Sequence, residues 1–416
     1  MTPHPSSHPL PLPPAFNRLA WSNLAAQSAE QLSLTAVPML AVLALGAGAG
    51  AVGLLSSLQS LPFLLLSIPL GLVADRISRK RLMVAAEVLR AFTLLCLFAA
   101  AASSSISLML LALLGFMGAT GTVAFSVTAP ALVPALVPRD ALARANGRLE
   151  LARSAAFAAG PALAGALVAW AGASWAFALA TGLSCAAVLM LLRLPESTAL
   201  AGQALATRRH PWLELRDGAA LVWQHAYLRP MLLTTVVWNL SWFVLQAAYV
   251  PYAVRALGMS AFAVGLTLAC YGAGMVLGSL LAPRVMAALP FGRAIQLGPM
   301  VSVFAATAMV VTLVWPSPAW AGVSFFLFGA GPIIWTITSV TLRQTATPSA
   351  MLGRVSALFL TAGFGARPLG AALGGLVGSH FGEGACLWLA WAGFCVQAMM
   401  IMASKLSRLR SLAEVG

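Results

Sequence analysis

Five charged or amide side chains lie inside apolar stretches that are long enough to cross a lipid bilayer. Gln27, Glu30 and Gln31 share one stretch, and Arg153 and Arg367 lie in two others. An unpaired ionisable group in the bilayer costs at least a few kcal/mol, so its presence there is a functional hypothesis by default. Glu30 stands about 12 residues into its stretch, roughly 18 Å along a helix, close to mid-bilayer. We predict that these five residues couple protons or contact substrate.

The alternative for Glu30 is a static ion pair. A carboxyl group at its depth can take up and release a proton as its access alternates between the two sides of a membrane. It can equally pair with Arg148 or Arg153, which lie on a later stretch. Glu150 lies three residues before Arg153, a spacing that places two side chains on one helix face, and we expect those two to pair.

Two further charged sites leave their roles open. Glu87 and Arg90 are also three residues apart, near one end of a stretch, and we expect an intrahelical pair at the membrane interface. Arg367 stands in the sequence GFGARPLG. It can attract an anionic substrate, or it can bond to backbone carbonyl groups freed by Pro368.

Aromatic and amide side chains are dense in the stretch from residue 229 to 254. This composition is unusual for a helix that faces lipid, and it suits a wall that contacts amphipathic ligands through apolar area and a few polar groups. The predicted cavity residues are Trp238, Asn239, Trp242, Gln246 and Tyr249, with Trp335 from a later stretch.

The composition places these side chains in a polytopic membrane protein. Of 416 residues, 60% are hydrophobic and 8% are charged, too few charges to cover a soluble surface of this size. Continuous apolar runs of about 20 residues indicate helices rather than barrel strands. We therefore predict an all-α fold with twelve transmembrane helices. The spans are 18–45, 51–73, 82–103, 106–130, 142–170, 173–193, 229–254, 261–283, 294–315, 318–341, 352–379 and 385–404.

Basic residues lie almost entirely on one side of this topology. The net charge of +14 comes from 24 Lys and Arg against 10 Asp and Glu, and 17 of the basic residues fall on the even-numbered connections and the C-terminal tail. Since Lys and Arg are retained on the cytoplasmic side, both termini are predicted to be cytoplasmic, and no nucleic-acid partner is expected. Arg255 is the exception, because it falls on the opposite side.

The chain divides into two similar halves. At an offset of 210, GPALAG (160–165) aligns with GAALGG (370–375), and at 212, AVGL (51–54) aligns with AVGL (263–266). Two halves repeated in the same orientation predict a cavity between them and alternating access by rocking. The predicted divisions are a disordered tail (1–17), a six-helix bundle (18–193), a cytoplasmic linker (194–228) whose second half forms an amphipathic helix, a second bundle (229–404) and a tail (405–416).

The loop GLVADRISRKR, between the second and third spans, resembles the signature loop of the major facilitator superfamily. The matching residues are Gly71, Asp75, Arg76, Arg79 and Lys80. The resemblance implies a gating loop in which the acid contacts a helix N-terminus across the interface between halves. A bare topology signal is the alternative. Ala282 stands at the acid's position in the second half.

The fifth span carries NGRLELARSAAFAAGPALAG and resembles the antiporter motif of the same superfamily. Gly147, Gly160, Pro161 and Gly165 match it, whereas alanines replace two of the family's glycines. A helix with a Gly-Pro pair kinks and packs closely on a neighbour. The motif implies export, although the fourth span lacks the arginine that proton antiporters often carry there.

The whole chain resembles the multidrug and siderophore exporter branch of that superfamily, including enterobactin-exporter-like members. We expect a monomeric inner-membrane protein that exports amphipathic small molecules by alternating access, coupled to protons. A siderophore exporter or a lysophospholipid flippase is the alternative within transport, and a non-transporting receptor or scaffold is the alternative outside it. No nucleophile-base arrangement, phosphate-binding loop or metal spacing is present in the sequence, so we expect no enzyme, no cofactor and no metal.

Overall fold

The computed structural model describes residues 12–74, 77–138, 141–195, 211–348, 351–411 and 414. Within them the chain is helical and contains no strand. The helices are α1 (Pro14–Leu45), α2 (Ala49–Ala74), α3 (Arg79–Ala102), α4 (Leu108–Leu136), α5 (Leu142–Trp170), α6 (Ala173–Leu192), α7 (Pro211–Gln224), α8 (Leu228–Arg255), α9 (Ala261–Ala288), α10 (Phe291–Val311), α11 (Pro318–Ala346), α12 (Leu352–Phe381) and α13 (Glu383–Ala403), followed by a 3-10 turn at Lys405–Arg408.

Eleven of the described helices are long and apolar enough to cross a membrane, judged by length and composition. The predicted spans one to six are α1 to α6, and spans seven to twelve are α8 to α13. Among the twelve helices that match predicted spans, the one outside the eleven is α12, whose 30 residues include Arg367 at mid-length. The all-helical membrane fold is thus confirmed. Of the twelve predicted spans, eleven meet the criteria of length and composition, and α12 does not. The helix α7 lies where the linker was predicted to form a helix.

Three helices run five or six residues past the predicted ends of their spans. They are α4, α9 and α11, and each ends just before a proline, namely Pro138, Pro290 or Pro348. Hydropathy marks where a helix leaves the bilayer. A following proline marks where the helical backbone stops, because it disfavours helical torsion angles at the residue before it.

The two halves repeat one packing scheme, which confirms the predicted pseudo-symmetry. In the first half, α1 packs on α5 and α6, α4 packs on α2 and α3, and α3 packs on α6. In the second half, α8 packs on α12 and α13, α11 packs on α9 and α10, and α10 packs on α13. Each contact of one half therefore has its counterpart in the other.

The halves meet at two glycine crossings, which are equivalent under this repeat. Where α2 crosses α12, a Cβ on Gly53 would lie 2.5 Å from the Cα of Gly375. Where α5 crosses α9, a Cβ on Gly165 would lie 2.9 Å from the Cα of Gly265. Such backbone approach requires residues without side chains. The glycines that align in the sequence repeat are therefore the ones that join the halves.

Both ends of the described chain lie at one face of the bundle, here called the basic face. Arg18 Nη1 donates to the carbonyl of Arg193 at 3.0 Å, Lys80 Nζ donates to Leu194 at 2.5 Å, and the backbone N–H of Gly292 donates to Leu409 at 2.7 Å. The opposite face carries the loops 46–48, 103–107, 171–172, 256–260, 312–317 and 382.

The bundle is closed toward the opposite face. Within the described chain, the hydrogen bonds and ring contacts that join the halves lie between mid-helix and that face. Near the face itself, Trp170 stacks on Phe262 with ring centroids 5.7 Å apart. At mid-helix, Ser57 Oγ donates to the carbonyl of Pro368 at 3.0 Å. The contacts that hold the two halves together therefore lie between mid-helix and the opposite face.

Candidate functional site

A cavity of about 540 Å³ lies between the two halves. Its walls come from α1 to α5 in the first half and from α8, α9, α11 and α12 in the second. This volume is typical of sites that bind small molecules, which combine apolar walls with a few placed polar groups. The cavity is the candidate functional site.

An acid and base cluster forms the wall of the cavity in the first half. Glu30 Oε2 lies 4.0 Å from Arg90 Nη2, and Arg90 Nη1 lies 3.0 Å from Glu87 Oε2. Arg90 also donates to the carbonyl of Ala26 and to Thr122 Oγ1, at 3.2 Å and 3.0 Å. The Glu30 side chain is 18% exposed, whereas Glu87 is fully buried. Arg90 therefore has a permanent partner, and Glu30 is the cluster's cavity-facing acid.

This arrangement differs from the sequence-based expectations for the same charges. The Glu87–Arg90 pair forms, but it lies in the core of the first half rather than at the membrane interface, because its face of α3 points toward α1 and α4. The partner of Glu30 is Arg90, whereas Arg153 pairs with Glu150, Nε to Oε2 at 3.0 Å. A signal was present in the sequence, since two charges at helical spacing stood in an otherwise uncharged span.

Arg367 reaches the cavity from α12. Its Nε donates to Asn239 Oδ1 at 3.3 Å, and its guanidinium carbon lies 4.3 Å from the ring centroid of Phe364. The Phe63 and Phe243 rings follow at 5.6 Å and 5.7 Å. The hydrogen bond that its guanidinium donates in the described structure therefore goes to a side-chain amide and not to a backbone carbonyl freed by Pro368. Arg367 is thus held by an amide and aromatic faces.

The aromatic wall of the cavity is built mainly by α8. Trp238 and Trp242 stack with centroids 5.5 Å apart, and Trp238 Nε1 donates to Ser302 Oγ at 3.2 Å. Asn239 and Gln246 also line the cavity, as do Gln27 and Gln31 from α1.

Two predicted cavity residues lie elsewhere. Tyr249 is fully buried in the second half, where it bonds to Thr267 and packs on Phe325. Trp335 packs within the second half, against α10, with Gly298 at its Cβ. Both residues face their own half because of how α8 and α11 are rotated about their axes, which composition does not reveal.

Several cavity residues had no sequence-based assignment. They include Phe63, Gln59, Phe157 and Tyr271. Gln59 and Tyr271 are isolated polar side chains in apolar spans, which is the signal that could have identified them. The two phenylalanines resemble any other apolar span residue, so only packing shows that they face the cavity.

The signature loop is described only in part. Gly71 lies in α2, and α3 begins at Arg79. Lys80 donates to the carbonyl of Leu194 within the first half. Asp75 and Arg76 lie outside the described residues, so the gating contact of the acid stays a prediction.

The antiporter-like stretch of α5 presents two faces. A Cβ on Gly160 would lie 2.5 Å from Gln31 Cβ, so this glycine packs on α1 within the first half. Pro161 and Gly165 lie against α9 of the second half, in contact with Gly265. Gly147 lies in the first turns of the same helix. The Gly-Pro step therefore places one small residue on each neighbour.

Arg255, the basic residue on the opposite side of the predicted topology, joins the halves there. Its Nη2 donates to the carbonyl of Gly46 in the first half at 2.5 Å, and its Nη1 lies 3.6 Å from Glu383 Oε1. Gly46 ends α1 with φ of 65°, which turns its carbonyl group toward α8. Arg255 is therefore a polar contact that holds the opposite face closed.

Replacing Arg255 with glutamine is expected to loosen this closure. One hydrogen bond contributes about 0.5–1.5 kcal/mol, a roughly two- to tenfold change in the population open at the opposite face. The measurement is labelling of a cysteine at Ser56, a cavity residue, by a membrane-impermeant maleimide applied at the opposite face. The five native cysteines are replaced beforehand.

The matched control is Arg284→Gln, which removes the same charge from an exposed residue near the basic end of α9. It is expected to leave labelling of Ser56→Cys unchanged. Equal labelling of wild type and Arg255→Gln would show that Arg255 does not hold the halves together.

Comparison with known proteins places these features in a family. The model of the Major Facilitator Superfamily matches residues 19–371. The chain is 28% identical over 256 residues to the uncharacterized MFS-type transporter y4rN of Sinorhizobium fredii, covering 59% of this chain and 60% of that protein. It is 28% identical over 358 residues to the enterobactin exporter EntS of Salmonella paratyphi A, covering 83% and 82%.

A solved structure agrees with the fold. The nucleoside transporter NupG superposes with a TM-score of 0.72 at 15% identity, covering 94% of this chain and 98% of that one. Identity this low carries information on the fold alone.

Proposed function

The chain belongs to the Major Facilitator Superfamily, and from that membership we propose that it is a secondary active transporter that exports amphipathic small molecules in exchange for protons. The observation that carries the proposal is the cavity between two pseudo-symmetric halves, closed at one face by glycine crossings. Such a cavity becomes a transport site when the halves rock and open it to the other side.

The basic face is taken as cytoplasmic, since Lys and Arg are retained there. Both termini then lie in the cytoplasm, and the contacts that join the halves close the described conformation on the external side. The protein is accordingly a multi-pass protein of the cell inner membrane, acting as a single chain. The signature loop, including Gly71 and Arg79, is proposed to gate this side.

The wall chemistry supports an amphipathic substrate. Trp238 and Trp242 offer stacked apolar surface, and Asn239, Gln246, Gln27 and Gln31 offer amide donors and acceptors at intervals. This combination binds a molecule with an apolar body and a few polar groups.

Proton coupling is assigned to Glu30. Its carboxyl group borders the cavity, and its nearest cation already has a closer carboxylate, Glu87. Protonation of Glu30 therefore leaves Arg90 paired with Glu87. The charge of Glu30 can change without leaving a buried cation unpaired. Arg153 lines the cavity nearby and is paired with Glu150.

Siderophore export is the second candidate, because relatives over most of the chain carry the name enterobactin exporter. It keeps the same mechanism and narrows the substrate to a siderophore. Lysophospholipid flipping, or a receptor role without transport, would require the cavity to open to lipid or not to alternate.

The test is uptake into inverted membrane vesicles that contain the wild-type protein. Export from the cell corresponds to accumulation inside such vesicles, and we expect amphipathic fluorescent dyes to accumulate when the interior is acidic and to leave when a protonophore is added. Vesicles without the protein are the control. Accumulation of the dyes and of enterobactin that does not depend on the proton gradient would overturn proton-coupled export.

A further inference from the structure

Of the guanidinium groups that border the cavity, one has no carboxylate in direct contact among the described residues. Three guanidinium groups reach its surface, those of Arg90, Arg153 and Arg367. Glu87 lies 3.0 Å from Arg90, and Glu150 pairs with Arg153. Among the described residues, no carboxylate lies within 4.0 Å of Arg367. Among those residues, the acid that interacts with the charge of Arg367 is Glu30, which does so at longer range across the cavity.

The surroundings of Arg367 hold the side chain in place without neutralising it. Asn239 accepts from its Nε, and the Asn239 amide is itself oriented by donation to the carbonyl of Thr235 at 2.9 Å. The rings of Phe364 and Phe243 stabilise the cation through their faces. A guanidinium has five N–H donors, and in the described contacts one of them is used.

Aromatic surface adjoins this cation. Asn239 and Phe243 contact Arg367, and Trp238 and Trp242 precede them by one position each on the same helix. The stacked indole rings line the same cavity as the guanidinium. Phe63 approaches the same cation from α2 of the first half, so the site spans both halves.

We propose that Arg367 binds the anionic group of an amphipathic organic anion, whose apolar or aromatic body lies against Trp238 and Trp242. Carboxylate, sulfonate and phosphate groups share the required chemistry, because each offers oxygen acceptors to the planar fork of the guanidinium. The inference rests on the proposed function, since it names the class of molecule that the transporter carries. Because Arg367 contacts residues of both halves, binding of an anion to it would also affect the movement of one half relative to the other.

The test compares two probes that differ in charge, 1-naphthoate and 1-naphthalenemethanol, by calorimetric titration of the full chain in lipid nanodiscs. Wild type is expected to bind the anion about tenfold more tightly than the neutral probe, as charge-assisted hydrogen bonds permit. Arg367→Gln is expected to lose that preference and keep its affinity for 1-naphthalenemethanol. The matched control Arg284→Gln is expected to behave as wild type.

Arg367→Lys is a second variant that keeps the test valid if Arg367→Gln fails to fold. Lysine keeps the positive charge and lacks the planar arrangement of N–H donors. It is expected to bind 1-naphthoate several-fold more weakly than wild type, with the neutral probe unaffected. Equal binding of both probes by wild type, or a preserved preference in Arg367→Gln, would overturn the inference.

Vesicle accumulation of the same probes separates this inference from the proposed function. A wild type that prefers the anion but accumulates neither probe retains the anion site and contradicts export. A wild type that accumulates both probes equally and binds them equally retains export and contradicts the anion site.

Discussion

Replacing Gly53 with leucine is expected to suppress transport while leaving the protein folded. A Cβ at this position would lie 2.5 Å from the Cα of Gly375 and 2.7 Å from the carbonyl oxygen of Ala371. Both atoms belong to the backbone of α12, so no side-chain rotation relieves the overlap. The two helices must separate, and the conformation closed at the opposite face becomes less stable.

The size of the effect follows from overpacking. An inserted side chain in a tight contact costs about 1–3 kcal/mol, which shifts an equilibrium between two conformations roughly 5- to 150-fold. Transport visits both conformations in each cycle, so destabilising one of them slows export. Each half keeps its own packing, because the overlap lies between the halves.

Two measurements check this expectation. Proton-driven dye accumulation in inverted vesicles should fall, and labelling of Ser56→Cys from the opposite face should rise. The matched control is Gly182→Leu on α6, where a new Cβ meets nothing within 4 Å. It should transport and label as wild type does. Normal transport by Gly53→Leu would show that this crossing does not separate during the cycle.

Replacing Glu30 with glutamine is expected to uncouple transport from the proton gradient. Glutamine keeps the size and most hydrogen-bonding ability of glutamic acid but cannot exchange a proton. The remaining ion pair of Arg90 with Glu87, at 3.0 Å, keeps the first half intact. The substrate should still bind and exchange across the membrane, while accumulation against a gradient is lost.

The measurement compares two modes in proteoliposomes. Accumulation driven by a pH gradient should fall at least about tenfold in Glu30→Gln, the factor that corresponds to roughly 1.4 kcal/mol of lost driving force. Exchange of labelled for unlabelled substrate at equal pH should persist. Glu414→Gln, which removes a carboxylate from the exposed C-terminal segment, is the control and should retain both modes. Unchanged pH-driven accumulation in Glu30→Gln would assign coupling to another group.

The two substitutions act on different parts of the same cycle. Gly53→Leu changes the relative stability of two conformations, so it should affect exchange and accumulation alike. Glu30→Gln changes what binds during the cycle, so it should affect accumulation alone. The pair therefore distinguishes a defect in movement from a defect in coupling.

Much of this architecture can be predicted from the amino-acid sequence. Apolar runs of bilayer length mark the helices, and the one-sided placement of Lys and Arg marks the topology, because each property acts locally along the chain. The repeat is also local information, since Gly53 and Gly265, or Gly165 and Gly375, occupy equivalent positions in two copies of one pattern. The depth of Glu30 follows from counting residues along its helix.

The contacts between helices could not be predicted from the sequence, because they depend on how each helix is rotated about its axis and which helices pack together. Arg90 faces Glu30, whereas Arg148 donates to Asn17 instead, because α3 turns its charged face into the bundle. Tyr249 turns into its own half while Gln246, three residues earlier on the same helix, lines the cavity. Arg255 meets Gly46 across 209 positions of sequence, and Gly53 meets Gly375. Such contacts are set by the simultaneous packing of segments that are distant in sequence. Hydropathy and residue spacing along one helix carry no information about that packing.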